Sequence, residues 1–138
     1  MSSDKLSLEI VTPDRLLLRE EVDEIQIPGQ NGYLGILPGH APLISQLQIG
    51  ELSYKKEKVT HALSIVNGYC EVLPGKVVIL AEKAEKAEEI DVTRAQSSKE
   101  RAEKRLSDLS RAELDFRRAE ISLQRALLRL QVARKAGL

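Results

Sequence analysis

All five prolines and seven of the eight glycines of this 138-residue chain lie before residue 76, and residues 76–136 contain neither. Glycine and proline break regular elements and favour turns. The first part of the chain is therefore confined to short pieces separated by turns, whereas the last third is free to run as long helix. Pro28-Gly29, Pro38-Gly39, Asn67-Gly68 and Pro74-Gly75 mark the breaks. Between them, residues 6–10 and 22–27 alternate apolar and polar side chains with the period of a half-buried strand. Residues 15–19, 43–47, 51–55, 62–66, 69–73 and 76–80 are further short runs of the same kind. Many short strands at regular spacing predict a sandwich or barrel. Its core must be aliphatic, since Tyr33, Tyr54 and Tyr69 are its only aromatics.

Beyond residue 90 the composition shifts to strong helix formers. Ala95, Ser98, Ala102, Leu106 and Leu109 recur at helical spacing, and so do Phe116, Ala119, Leu123, Ala126, Leu127 and Leu130. Asp91 is placed to cap the first helix, and Ser110-Arg111-Ala112-Glu113 has the form of a capping box for the second. The fold class expected is α+β: an antiparallel β-sandwich over residues 1–84, a linker over 85–90 and an antiparallel two-helix hairpin over 91–138. The charged run 81–89 reads as an exposed spacer or the start of a helix. If the hairpin turns between Leu109 and Ser110, Arg94 faces Arg125, and Arg129 lies opposite Ile90 beside Asp91. No glycine or proline forces that turn, so one continuous helix is also open to the sequence. Its 47 residues after Asp91 would span roughly 70 Å.

A net charge of zero conceals an asymmetry, with 9 basic and 14 acidic side chains in residues 1–90 against 12 and 7 in residues 91–138. The helical part is basic and calls for an acidic partner or ligand. Three guanidinium groups, Arg94, Arg125 and Arg129, at one end of a hairpin suit a polyphosphate, because arginine binds phosphate through paired donors. They repel one another unless an anion joins them, so an anion that binds only the folded hairpin would draw the population toward it. Asp91 cannot bind phosphate; it orients an arginine or accepts from a ribose or base.

Other chemistries are poorly supplied. One cysteine, Cys70, makes no internal disulfide and reads as a small buried hydrophobe, and His40 and His61 with it do not form a metal site. There is no Gly-rich phosphate loop, nucleophile elbow or catalytic carboxylate pair, so the chain is not expected to be an enzyme by itself. The longest apolar run, 77–81, is far below the roughly 20 residues of a membrane span, and residues 1–5 carry no apolar leader. A nucleic-acid adaptor built on the basic hairpin is the rival reading. It lacks stacking aromatics, Phe116 being the only aromatic in the helical part.

Two stretches carry a family resemblance. Residues 32–43, Gly-Tyr-Leu-Gly-Ile-Leu-Pro-Gly-His-Ala-Pro-Leu, and residues 90–95, Ile-Asp-Val-Thr-Arg-Ala, resemble in order and separation the epsilon subunits of F-type ATP synthases. The resemblance implies a β-sandwich followed by a helical hairpin, in a non-catalytic rotor subunit of the central stalk. Such a subunit couples the catalytic head to the membrane ring and restrains ATP hydrolysis when its helices extend. The implied ATP-binding residues are Ile90, Asp91, Arg94, Ala95, Arg125 and Arg129. ATP would be a regulatory ligand, with or without magnesium, and there would be no catalytic cofactor. Gln30, Asn31, Tyr33 and His40 would meet the membrane ring, Tyr33 standing where many members carry an acid. Arg117, Arg118, Arg125 and Arg129 would make the inhibitory contact with the catalytic subunits. Implied partners are the gamma subunit, the alpha and catalytic beta subunits and the c-subunit ring, with no nucleic acid and no direct membrane insertion. The implied location is peripheral, on the cytoplasmic face of a bacterial membrane or the stromal face of a thylakoid. A rotor subunit without nucleotide sensing is the alternative within the same family.

Overall fold

The structure, a computed structural model, describes residues 4–108 and 112–137. It divides into two compact units, Met1–Lys86 and Ala87–Leu138.

The first unit holds eight strands, β1 (Leu6–Val11), β2 (Leu16–Val22), β3 (Glu24–Gly29), β4 (Gly32–Ile36), β5 (Leu43–Leu47), β6 (Gly50–Lys56), β7 (Val59–Leu73) and β8 (Lys76–Lys86). They are ordered β2-β1-β8-β7-β5-β3-β4, with β6 bridging β3 and β7. Alternation does the sorting: Leu6, Leu8 and Ile10 of β1 are buried, and the residues between them less so. Their partners in the core include Ile25, Ile27, Leu52, Leu63, Ile65, Val72, Val77 and Ile79. The core is aliphatic apart from Tyr54 and Cys70, and burial pushes the Cys70 thiol pKa up.

Three features depart from the sequence expectations. Asn67-Gly68 does not separate two strands but kinks one, β7, with φ of 56° and 119°. Before the kink β7 pairs with β6, and after it with β5, while β8 follows on both sides in one register. The glycine is required there, because a Cβ on Gly68 would lie 2.0 Å from the Leu80 carbonyl oxygen of β8. Second, residues 81–86 are neither a spacer nor the start of a helix: β8 continues to Lys86 with Ala81 buried and Ala84, three residues on, packed on the core among charged neighbours. Third, residues 32–36 form the edge strand β4, disguised in the sequence by Gly32 and Gly35. All pairings are antiparallel except that of β1 with β8. At the β6–β7 turn, Glu57 and Lys58 adopt φ of 53° and 67°. Asp23 ties this turn down by accepting from the Glu57 N–H at 3.1 Å and from the Lys5 ammonium.

The second unit opens with a 3-10 turn, Ala87–Glu89, followed by α1 (Val92–Leu106) and α2 (Glu113–Lys135), which pack together. Asp91 caps α1, its carboxylate accepting from the Arg94 N–H at 3.0 Å. The expected turn at Leu109 and Ser110 lies outside the described residues. The N-cap of α2 is Ala112 and not Ser110, and it makes no side-chain cap bond. Buried alanines line the seam: Ala95 and Ala102 on α1, and Ala119, Ala126 and Ala133 on α2, each one heptad from the next. Such small side chains let two helix backbones approach closely. Matching Ala95 to Ala126 and Ala102 to Ala119 gives partners whose numbers sum to 221, two more than a turn at Leu109 and Ser110 implies. Leu127, expected in the stripe, is 46% exposed, whereas Leu128 and Val132, on the opposite side of α2, are buried. Helix α2 thus has two apolar faces, and Leu114 and Ile121 continue the second one exposed.

Candidate functional site

The first α1 turn places the N-terminal part of the predicted site. Ile90 is buried just before the helix, Asp91 is the cap, Arg94 is exposed one turn in, and Ala95 lies in the seam. At about 100° per residue, Arg94 projects to one side of Ala95. Arg125 and Arg129 project to the same side of the α2 alanine stripe, and between antiparallel helices the two sides form one flank. In the alanine-matched register Arg94 falls between the levels of Arg125 and Arg129, about 3 Å along the axis from each. The 3-10 turn that precedes Asp91 also packs on α2. The hairpin therefore brings the three arginines to one flank, at the end formed by the start of α1 and the later turns of α2.

Arg125 is the most constrained of them. Its side chain is half-buried, and its Nε is buried with no hydrogen-bond partner. A buried donor left unmade costs about 1–3 kcal/mol, which makes it a group in search of an acceptor. Arg129 is half-buried and already has a partner within the protein. No sequence pattern distinguishes Arg125 from the other arginines of α2; the second apolar face beside it, which leaves it half-buried, does.

The residues expected to meet a ring lie in the other unit. Gln30 and Asn31 form the exposed two-residue turn between β3 and β4, closed by the Gly29–Gly32 pair with Gly32 at φ 130°. Tyr33 is on β4, not in a loop. Its ring is 56% exposed, yet its hydroxyl accepts from the Glu51 N–H at 3.1 Å. That bond passes over Pro28 and Gly50, where an added Cβ would meet the Tyr33 hydroxyl at 3.3 Å. Tyr33 thus braces the turn against β6 while showing its ring face to solvent. His40 follows the Pro38-Gly39 turn, with Nδ1 2.7 Å from the Ala41 carbonyl oxygen and its N–H donating to the Leu37 carbonyl. The turn surface carries no charge in Gln30, Asn31 or Tyr33.

Arg117 and Arg118 are exposed on α2 and project about 100° apart around it. Arg117 lies 3.6 Å from Glu113 in an exposed pair one turn apart, while Arg118 shares the flank of Arg125. Among the described residues no three His, Cys, Asp or Glu side chains group as a metal site, and no helix is long and apolar enough to cross a membrane.

Comparison with known proteins covers both units. The family model described as ATP synthase, Delta/Epsilon chain, beta-sandwich domain matches residues 5–87. The one described as ATP synthase, Delta/Epsilon chain, long alpha-helix domain matches residues 88–134. The chain is 49% identical over 133 residues to the ATP synthase epsilon chain of Syntrophobacter fumaroxidans, covering 96% of this chain and 98% of that one. It is 51% identical over 135 residues to that of Geotalea daltonii, covering 98% of each. Among solved structures, a chain of the Euglena gracilis mitochondrial ATP synthase, in an assembly of OSCP, F1 and c-ring, superposes with a TM-score of 0.80 at 26% identity. That match covers 98% of this chain and 82% of the other.

Proposed function

The chain belongs to the delta/epsilon family of ATP synthase subunits, as an epsilon subunit that is non-catalytic by itself, and from that premise we propose that it is a rotor brake that senses ATP. Its β-sandwich attaches to the membrane ring through the Gln30–Asn31 turn, Tyr33 and His40, and to the gamma subunit of the stalk. Its hairpin, when opened, presents Arg117, Arg118, Arg125 and Arg129 to acidic segments of the alpha and beta subunits and restrains ATP hydrolysis. When closed, the hairpin holds ATP. The phosphates lie among Arg94, Arg125 and Arg129, the nucleoside lies against Ile90, Asp91 and Ala95, and the motor is released. The protein works peripherally on the energy-coupling membrane.

The observation that carries this reading is the shared flank of the three arginines, with the Arg125 Nε buried and unmatched. A phosphate oxygen supplies the missing acceptor and neutralises charges that otherwise oppose closure. Because the arginines separate when the helices part, ATP binds the closed state preferentially, and its differential affinity sets the population. The Asp91 carboxylate is occupied by the Arg94 N–H, so its part is to hold the start of α1 in place beneath the ligand.

Calorimetric titration of ATP into the isolated protein tests this. One saturable site, without hydrolysis and lost in Arg94→Ala and Arg125→Ala, is the expected result. No heat at millimolar ATP would overturn the sensing step and leave a rotor subunit whose helices answer only to contacts within the motor.

A further inference from the structure

The two helices of the hairpin are an internal repeat. Residues 91–105 and 115–129 align at a constant offset of 24 with seven of fifteen positions identical. The matches are Asp91 with Asp115, Arg94 with Arg118, Ala95 with Ala119, Ser98 with Ser122, Arg101 with Arg125, Ala102 with Ala126 and Arg105 with Arg129. Since the buried alanines are themselves repeat positions, the seam relates the two copies by a local two-fold axis across the hairpin.

That axis carries the first arginine cluster onto a second. At about 1.5 Å per residue, Arg129, Arg94 and Arg125 follow one another along the flank in steps of about 3 Å. Roughly 14 Å from the centre of that group toward the turn, Arg101, Arg118 and Arg105 repeat the arrangement with the helices exchanged. Asp115 takes the place of Asp91 at the outer edge. Arg101, Arg105 and Arg118 are exposed. Arg101 donates to the Ser98 hydroxyl at 3.2 Å, and among the described residues none of the three has a carboxylate partner. A surface depression of about 380 Å³ adjoins the cluster along the end of α1, lined by Arg101, Lys104, Arg105, Ser107 and Asp108.

We propose that this second cluster is an oligophosphate site, the two-fold counterpart of the ATP clamp, on whose reading it rests. It differs from the clamp in one respect that selects the ligand. The counterpart of the buried Ile90 is Leu114, 61% exposed, a side chain not fixed against the protein, so a nucleoside meets no preformed apolar wall there. The site therefore binds through the phosphate chain alone and gains nothing from a base.

The test is calorimetry of the full chain with inorganic tripolyphosphate, ATP being titrated in parallel. Two tripolyphosphate sites per chain are expected, and ATP displaces tripolyphosphate from one of them at least tenfold more readily than from the other. Arg101→Gln/Arg105→Gln removes the site that ATP displaces less readily, at least tenfold in affinity, and Arg94→Gln removes the other. Arg134→Gln/Lys135→Gln, which matches the charge change on residues off this flank, removes neither; circular dichroism verifies the helices in each variant. A single tripolyphosphate site, or loss of both sites in the Arg134→Gln/Lys135→Gln protein, overturns the proposal. Two sites from which ATP displaces tripolyphosphate equally would instead strike the ATP clamp and leave the second site standing.

Discussion

Replacing Arg125 with methionine should move hairpin stability in opposite directions with and without nucleotide. In the free protein the Arg125 Nε is a buried donor without an acceptor, a condition that costs about 1–3 kcal/mol. The side chain is only half-buried, so the lower end applies. Methionine keeps an unbranched stem, removes the unmatched donor and relieves repulsion with Arg94 and Arg129. We expect a gain of about 1 kcal/mol, which slows exchange of the seam amides, residues 119–128, about fivefold in native-state hydrogen exchange. At ATP concentrations one hundred times the dissociation constant, the wild type gains about 2.7 kcal/mol, roughly a hundredfold further slowing. The variant, deprived of a clamp arginine, gains nothing. The order of protection therefore inverts when ATP is added. Faster exchange in the free variant than in the free wild type would refute the argument from the orphaned donor, and undiminished ATP protection of the variant would refute the placing of Arg125 at the phosphates.

Three further outcomes follow from other parts of the molecule. Gly68→Ala puts a Cβ 2.0 Å from the Leu80 oxygen at a φ of 119°, and should lower the urea unfolding free energy of the β-sandwich by about 3 kcal/mol or more. Asp91→Ala removes the α1 cap and should cost the hairpin about 1 kcal/mol, seen as lost helical ellipticity on mild heating, whereas Asp91→Asn should retain most of it. The Lys5 ammonium, bonded to Asp23, holds the Asp23 carboxyl below the usual carboxylate range, with the Glu57 N–H contributing. A depressed folded-state pKa gives stability that is present above the ordinary carboxylate range and is lost as pH falls through the lower folded value. Asp23→Asn should therefore flatten that acid limb of the urea midpoint against pH, and an unchanged limb would assign the acid sensitivity elsewhere.

What the chain disclosed beforehand follows from which forces act locally. The strand alternation of residues 6–10 and the helical spacing of the alanines were readable because each is set by burial on one face, which repeats with the element's own period. Strand β4 was not, since Gly32 and Gly35 lack side chains to show an alternation. Nor was the continuity of β7, because Asn67-Gly68 is equally suited to a turn and to a kink, and only the approach of β8 decides between them. Leu127 and Leu128 are adjacent leucines on a helix with two apolar faces; no periodicity read from one face could tell which is buried. The placing of Arg94 on one flank with Arg125 and Arg129 was accessible because flanking side chains tolerate a shift of two residues in the hairpin register. The bracing of Tyr33 on the Glu51 N–H depends on two strands 18 residues apart and had no local trace.

The seam of alanines also decides how finely the hairpin can respond. Each buried methyl contributes about 0.8 kcal/mol, so the four matched alanines supply roughly 3 kcal/mol of apolar attraction between the helices. That is close to the 2.7 kcal/mol a ligand adds at one hundred times its dissociation constant. Under the proposed switch, the set point then falls within the range over which nucleotide concentration changes, and the response is graded. A seam of leucines would add several kilocalories per mole and lock the hairpin shut at any energy charge. Substituting Ala102 with serine or Ala119 with valine is accordingly a way to retune the threshold of the switch without touching a single residue that meets the ligand.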